Sequence, residues 1–105
     1  MNKAELQKLA GLPCEAEVPL IAVVSRLASH KGVELICQAA EQILQGQIQM
    51  IVLGKGEVHY EDWLRSLQSR YPGKLAAMIT YSNDLSRKIY AGADLFLMPS
   101  RSEPC

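Results

Sequence analysis

The sequence predicts an α/β protein, a three-layer fold in which four parallel strands in the order 3-2-1-4 carry helices on both faces. Three observations lead there. Short apolar runs rich in β-branched residues alternate with stretches whose apolar residues recur at helical spacing. An apolar run such as Leu20–Val24, closed by Ser25-Arg26 and followed by a helical pattern, reads as a strand buried on both faces. Strands alternating with helices imply right-handed crossovers and a doubly wound sheet, whose first and fourth strands meet at the switch point where ligands bind.

The elements follow in chain order. Asn2 with Glu5 three residues on resembles a capping box, and Leu6, Leu9 and Ala10 then share a helical face before Gly11 ends the helix. Pro13 to Pro19, with two prolines and acidic residues, reads as a connector. Residues 1–19 are therefore expected to be a leading helix and connector, ahead of a domain over residues 20–105. After the first strand, Ile36, Ala39, Ala40, Ile43 and Leu44 mark a helix of about four turns that Gly46 stops. Ile48–Leu53 is the second strand, and Gly54-Lys55-Gly56 reads as a tight turn at its carboxyl end. Tyr60, Trp63, Leu64, Leu67 and Tyr71 form the stripe of a third helix, where aromatics at this spacing are expected to pack in the core. Leu75–Thr80 is the third strand, Asn83 or Asp84 caps a helix through about Tyr90, and Leu95–Met98 is the fourth strand.

With 105 residues the chain has room for one domain or a piece of one. Eleven basic residues balance eleven acidic ones, so no bulk charge calls for nucleic acid or a membrane surface. Cys14, Cys37 and Cys105 lack any C-x-x-C pairing and predict neither a disulfide framework nor a zinc site. No apolar run nears the roughly 20 residues of a membrane span, and the start has no signal-peptide core. A cytoplasmic protein is expected.

The informative stretch runs from Ile21 to Gly32. Arg26, His30 and Lys31 gather near the start of a helix, where the macrodipole already presents positive potential. An anion, most often a phosphate, between the helix N-terminus and these cations would explain the arrangement. A solvated loop with surface cations is the other reading, and the stretch alone leaves both open. In the doubly wound order, Glu103 would share a crevice with Arg26 and Lys31.

Several blocks together resemble the bacterial glycogen synthases and related starch synthases. They are Asn2-Lys3 with Leu6-Gln7 and Leu9 to Pro13, Pro19-Leu20-Ile21, Ser25-Arg26-Leu27, Lys31-Gly32, Val52-Leu53-Gly54, Tyr71-Pro72, Ile89 to Asp94, and Phe96 to Arg101 with Glu103-Pro104-Cys105. The last block is the most specific. The resemblance implies part of the Rossmann-like C-terminal, donor-binding domain of a two-domain GT-B glycosyltransferase. It also implies retaining transfer of glucose from ADP-glucose to the non-reducing end of an α-1,4-glucan, with the acceptor held largely by a separate N-terminal domain absent from this chain. Arg26 and Lys31 match positions that contact the donor diphosphate. Glu103 matches the first acid of an acid-x7-acid motif near the transferred sugar, whose second acid would lie past Cys105.

On this resemblance the catalytic set is Arg26, Lys31 and Glu103. Arg26 as a bidentate donor, Lys31 as a compact charge and the N–H groups near Gly32 would stabilise the leaving diphosphate, while the Glu103 carboxylate would orient sugar hydroxyls or support oxocarbenium character. Tyr81 would either stack on the adenine or simply pack against its neighbours, and Cys105 lies near the sugar site, in a structural role. No Asp-x-Asp pair calls for a metal, and no cofactor is implied. The chain departs from the family at Ser102, where an aromatic residue is usual, and at Ser82-Asn83 and Arg87. Ser102, with the second acid beyond the chain, supports an alternative: a non-catalytic nucleotide-binding or regulatory module, or a truncated remnant of the enzyme. His30 and His59 are expected to face solvent.

Overall fold

The computed structural model describes residues 2–27, 30–80 and 82–96, with the backbone alone at 25–27 and 30–32. The element order is α1 (Lys3–Ala10), β1 (Leu20–Leu27), α2 (His30–Ile43), β2 (Gln49–Gly56), α3 (Val58–Arg70), β3 (Leu75–Ile79), α4 (Asn83–Gly92) and β4 (Leu95–Phe96). All neighbouring strands pair in parallel in the order β3-β2-β1-β4, as the sequence predicts.

Two apolar layers flank the sheet. Val23, Met50 and Val52 point to one face and pack with Val33, Ile36 and Ala40 of α2 and Tyr60, Leu64 and Leu67 of α3. The aromatic stripe is thus core packing, with Trp63 and Tyr71 partly buried against it. The alternate positions Leu20, Ala22, Ile51 and Leu53 point to the other face, against Leu6 of α1 and Ile89 of α4. Each fully buried Leu or Ile contributes on the order of 1.5–3 kcal/mol, so the period-2 split between layers strongly resists a one-residue slip in register.

Local chemistry sets several boundaries. The capping box of α1 forms: Glu5 N donates to Asn2 Oδ1 at 2.9 Å and Asn2 N donates to Glu5 Oε1 at 3.0 Å. Gly11 ends that helix in the left-handed region at φ 78°, which a residue with a Cβ adopts only under strain. Ser82, not Asn83 or Asp84, caps α4, its Oγ accepting from Leu85 N at 3.1 Å. Any of the three residue types can cap; Ser82 is the one left with extended backbone just before the first turn.

Helix α4 also runs past Tyr90 to Gly92. A Cβ at Gly92 would lie 2.9 Å from Leu6 Cβ and 3.1 Å from Asn2 O, so the missing side chain lets α1 and α4 approach closely. Strand β4 is described for Leu95 and Phe96; the rest of its predicted span, Leu97 and Met98, lies outside the described residues.

Candidate functional site

The carboxyl edge of the sheet differs from its sequence reading. Strand β1 does not stop at Val24, and Gly54-Lys55-Gly56 is not a turn. The two strands stay in register to the end, with Ser25 opposite Gly54, Arg26 opposite Lys55 and Leu27 opposite Gly56. Parallel pairing propagates for as long as both backbones have a partner, so two segments with weak strand propensity extend each other.

Arg26 therefore lies on a strand, one position before its end. Helix α2 begins at His30, which puts His30, Lys31 and Gly32 in the first helical turn, where backbone N–H groups lack intrahelical acceptors. The cationic loop of the sequence reading becomes a strand end and a helix start, separated by residues 28–29. This β1–α2 crossover brings the backbones of Arg26, Lys31 and Gly32 to one edge. Strand β4 pairs with β1 through Leu95 opposite Ile21 and Phe96 opposite Ala22, so its carboxyl end points to the same edge. Arg26 stands four positions beyond Ala22, a reach of about 13 Å along an extended strand. Tyr81, Glu103 and Cys105 lie outside the described residues.

Two residues at this edge escape sequence reasoning. Lys55 is exposed and opposes Arg26. Glu61, on the first turn of α3, is 7% exposed, and its Oε2 accepts from Gly56 N at 3.1 Å, capping the last residue of β2. Its Oε1 lies 3.9 Å from the guanidinium of Arg65. An acid in the first turn of a helix that closely follows a strand was the available signal, hidden because Glu61 sits beside the apolar stripe.

At the opposite, amino edge, Asp94 joins three elements. Its Oδ2 accepts from Leu20 N at 2.9 Å and lies 2.7 Å from Lys3 Nζ, while Asp94 N donates to Leu20 O. The hydrogen bond from Lys3, then that from Leu20, hold the Asp94 carboxyl below the usual carboxylate range. Cys37 is buried in the α2 layer, and burial, aided by Glu41, pushes its thiol up to about 11, so it stays protonated and unreactive near neutrality. His59 faces solvent as expected, 3.7 Å from Glu57. No helix among the described residues is long and apolar enough to cross a membrane.

A parallel sheet with basic residues at the carboxyl ends of adjacent strands is shared by many proteins, and comparison with known chains narrows the choice. The sequence model of the family described as "Glycosyl transferases group 1" matches residues 18–105. The chain belongs to the group 1 glycosyl transferases. Within the family it is similar to the glycogen synthase of Kosmotoga olearia, with 54% identity over 104 residues, and to that of Desulforamulus reducens, with 50% identity over 105 residues. These alignments cover 99% and 100% of this chain and 22% of each relative.

The fold is likewise similar to the catalytic domain of starch synthase IV from Arabidopsis thaliana bound to ADP and acarbose. The TM-score is 0.84 at 34% identity, covering 99% of this chain and 22% of that one. The chain thus spans about a fifth of the length of the glycosyl transferases it matches. The Rossmann-like sheet of GT-B type implied by the sequence resemblance is the fold observed.

Proposed function

We propose that this segment is the donor-binding part of a glycogen or starch synthase, which transfers glucose from ADP-glucose to the non-reducing end of an α-1,4-glucan with retention at the anomeric carbon. Residues 20–105 then belong to the nucleotide-sugar-binding domain, with residues 1–19 as its leading helix and connector. The acceptor would be held largely by a second, N-terminal domain. The observation that carries this reading is the β1–α2 crossover, which sets Arg26 on the strand end and Lys31 and Gly32 on the first helical turn at one edge of the sheet.

The chemistry follows from where charge develops. Cleaving the bond from the anomeric carbon to diphosphate leaves negative charge on phosphate and positive charge on the sugar. Arg26 and Lys31, with the N–H groups of the first turn around Gly32, stabilise the departing diphosphate. Glu103 addresses the hexose, Tyr81 the adenine, and Cys105 lies close to the sugar. The names of the relatives and the ADP and acarbose bound by the Arabidopsis enzyme support the same substrate classes.

Calorimetric titration of the chain with ADP, ADP-glucose and UDP-glucose tests this reading. The adenine nucleotides should bind more tightly than UDP-glucose, and Arg26→Ala or Lys31→Ala should each weaken ADP by about tenfold. For turnover, the segment replaces its counterpart in the Kosmotoga glycogen synthase, and the two substitutions should abolish most glucose transfer. Near-normal transfer by both variants would refute the assigned roles, while ADP binding by the segment without any transfer by a folded chimera favours the regulatory module.

A further inference from the structure

Lys55 has no role in the reading above, yet its position is specific. Register pairs it with Arg26 on the neighbouring strand. Residues paired across parallel strands project to the same face of a sheet, and on β2 the alternate residues Ile51 and Leu53 pack in the layer containing α1 and α4. Lys55 therefore continues that face beyond the core, at the level of Arg26. It is exposed and has no hydrogen-bond or ion-pair partner among the described residues.

The backbone that carries Lys55 is held in place. Gly56 N is tied to the nearly buried Glu61 carboxylate at 3.1 Å, so the end of β2 is anchored from α3 on the other face of the sheet. Register sets two basic residue types at one level on adjacent strands, and a polyanion lying across both strand ends would draw on a positive charge from each.

We propose that Lys55 is a further donor-binding residue, a cation supplied by β2 that contacts the diphosphate held at the β1–α2 crossover. The proposal rests on the function proposed above and extends the anion site across a second strand. A lysine suits a flexible approach to a phosphate oxygen, since its ammonium is a compact charge on a long stem.

The test is calorimetric titration of the chain and of Lys55→Ala, Lys55→Arg and Lys8→Ala with ADP and with inorganic pyrophosphate, at low and high salt. Lys8 lies exposed on α1 and controls for the loss of one positive charge. Lys55→Ala should weaken both ligands by about fivefold at low ionic strength, with the gap closing as salt is raised. Lys55→Arg should retain most of the affinity, and Lys8→Ala should match the parent chain.

Equal affinities for the parent chain and Lys55→Ala, with ADP still binding, would overturn the role of Lys55 and leave the donor site standing. If pyrophosphate binds in a Lys55-dependent manner but ADP binds no more tightly, Lys55 stands and the adenine assignment falls. If neither ligand binds the parent chain, both readings fail.

Discussion

The two edges of the sheet are built on opposite plans. At the amino edge, polar groups are buried and mostly paired. Gln7 Nε2 donates to Gln49 Oε1 at 2.7 Å and to Glu15 O at 3.1 Å, and Gln49 Nε2 donates to Pro13 O at 2.9 Å. Beside them Asp94 joins Lys3 and Leu20, so α1, the connector, β1, β2 and the entrance to β4 are fastened together. At the carboxyl edge, Lys55 is exposed without a partner among the described residues, and helix α2 begins at His30. Buried, satisfied polar groups specify one arrangement; exposed charge without partners is available to a ligand. On the function proposed above, one edge serves stability and the other serves binding.

The largest effect that would break this contrast is at the crossing of α1 and α4. Leu6 is fully buried beside Gly92, and Leu6→Ala should lower stability by about 3 kcal/mol in urea unfolding, through the lost transfer energy and the cavity left behind. ADP affinity of the folded fraction should not change. If it falls with stability, the edges are not independent.

A smaller loss is expected from Gln49→Leu, which leaves Pro13 O without its side-chain donor and removes one acceptor of Gln7. The expected change is about 2 kcal/mol, read from the urea midpoint. A change under about 0.5 kcal/mol would mean that water replaces these bonds and that the amino edge is not the fastening it resembles.

The smallest effect concerns pH. The folded-state pKa of Asp94 lies below its unfolded value, so its contribution is fully present above the unfolded carboxylate pKa of about 4 and is lost as pH falls through the folded value. Asp94→Asn should be slightly less stable than the parent at neutral pH, and the difference should shrink on acidification. Because the side chain is 44% exposed, the effect is screened and its salt dependence is a further check. A constant difference between neutral and acid pH would show that geometry, not charge, holds Lys3 to Asp94.

Much of this protein was legible before any coordinates. Helix α1 is written in four residues, Asn2, Glu5, Leu6 and Gly11, because caps and their partners lie within one turn of each other. The strand–helix alternation follows from apolar periodicity, and the order 3-2-1-4 is the doubly wound arrangement expected of such an alternation. Arg26 and Lys31 stood out because unlike chemistry, cations at a helix start, is visible locally.

What tertiary structure alone decided is long in range. Whether Ser25 to Leu27 and Gly54 to Gly56 are strand or turn depends on each having the other as partner, which neither segment declares. The Gln7–Gln49 bond joins residues 42 positions apart, and Gly92 matters only because Leu6 arrives on top of it. Lys55 acquires its interest from register, because a lysine between two glycines is ordinary until the strand beside it places an arginine at the same level. Local propensity is a property of neighbours in the chain, whereas pairing, close approach and shared charge are properties of neighbours in space.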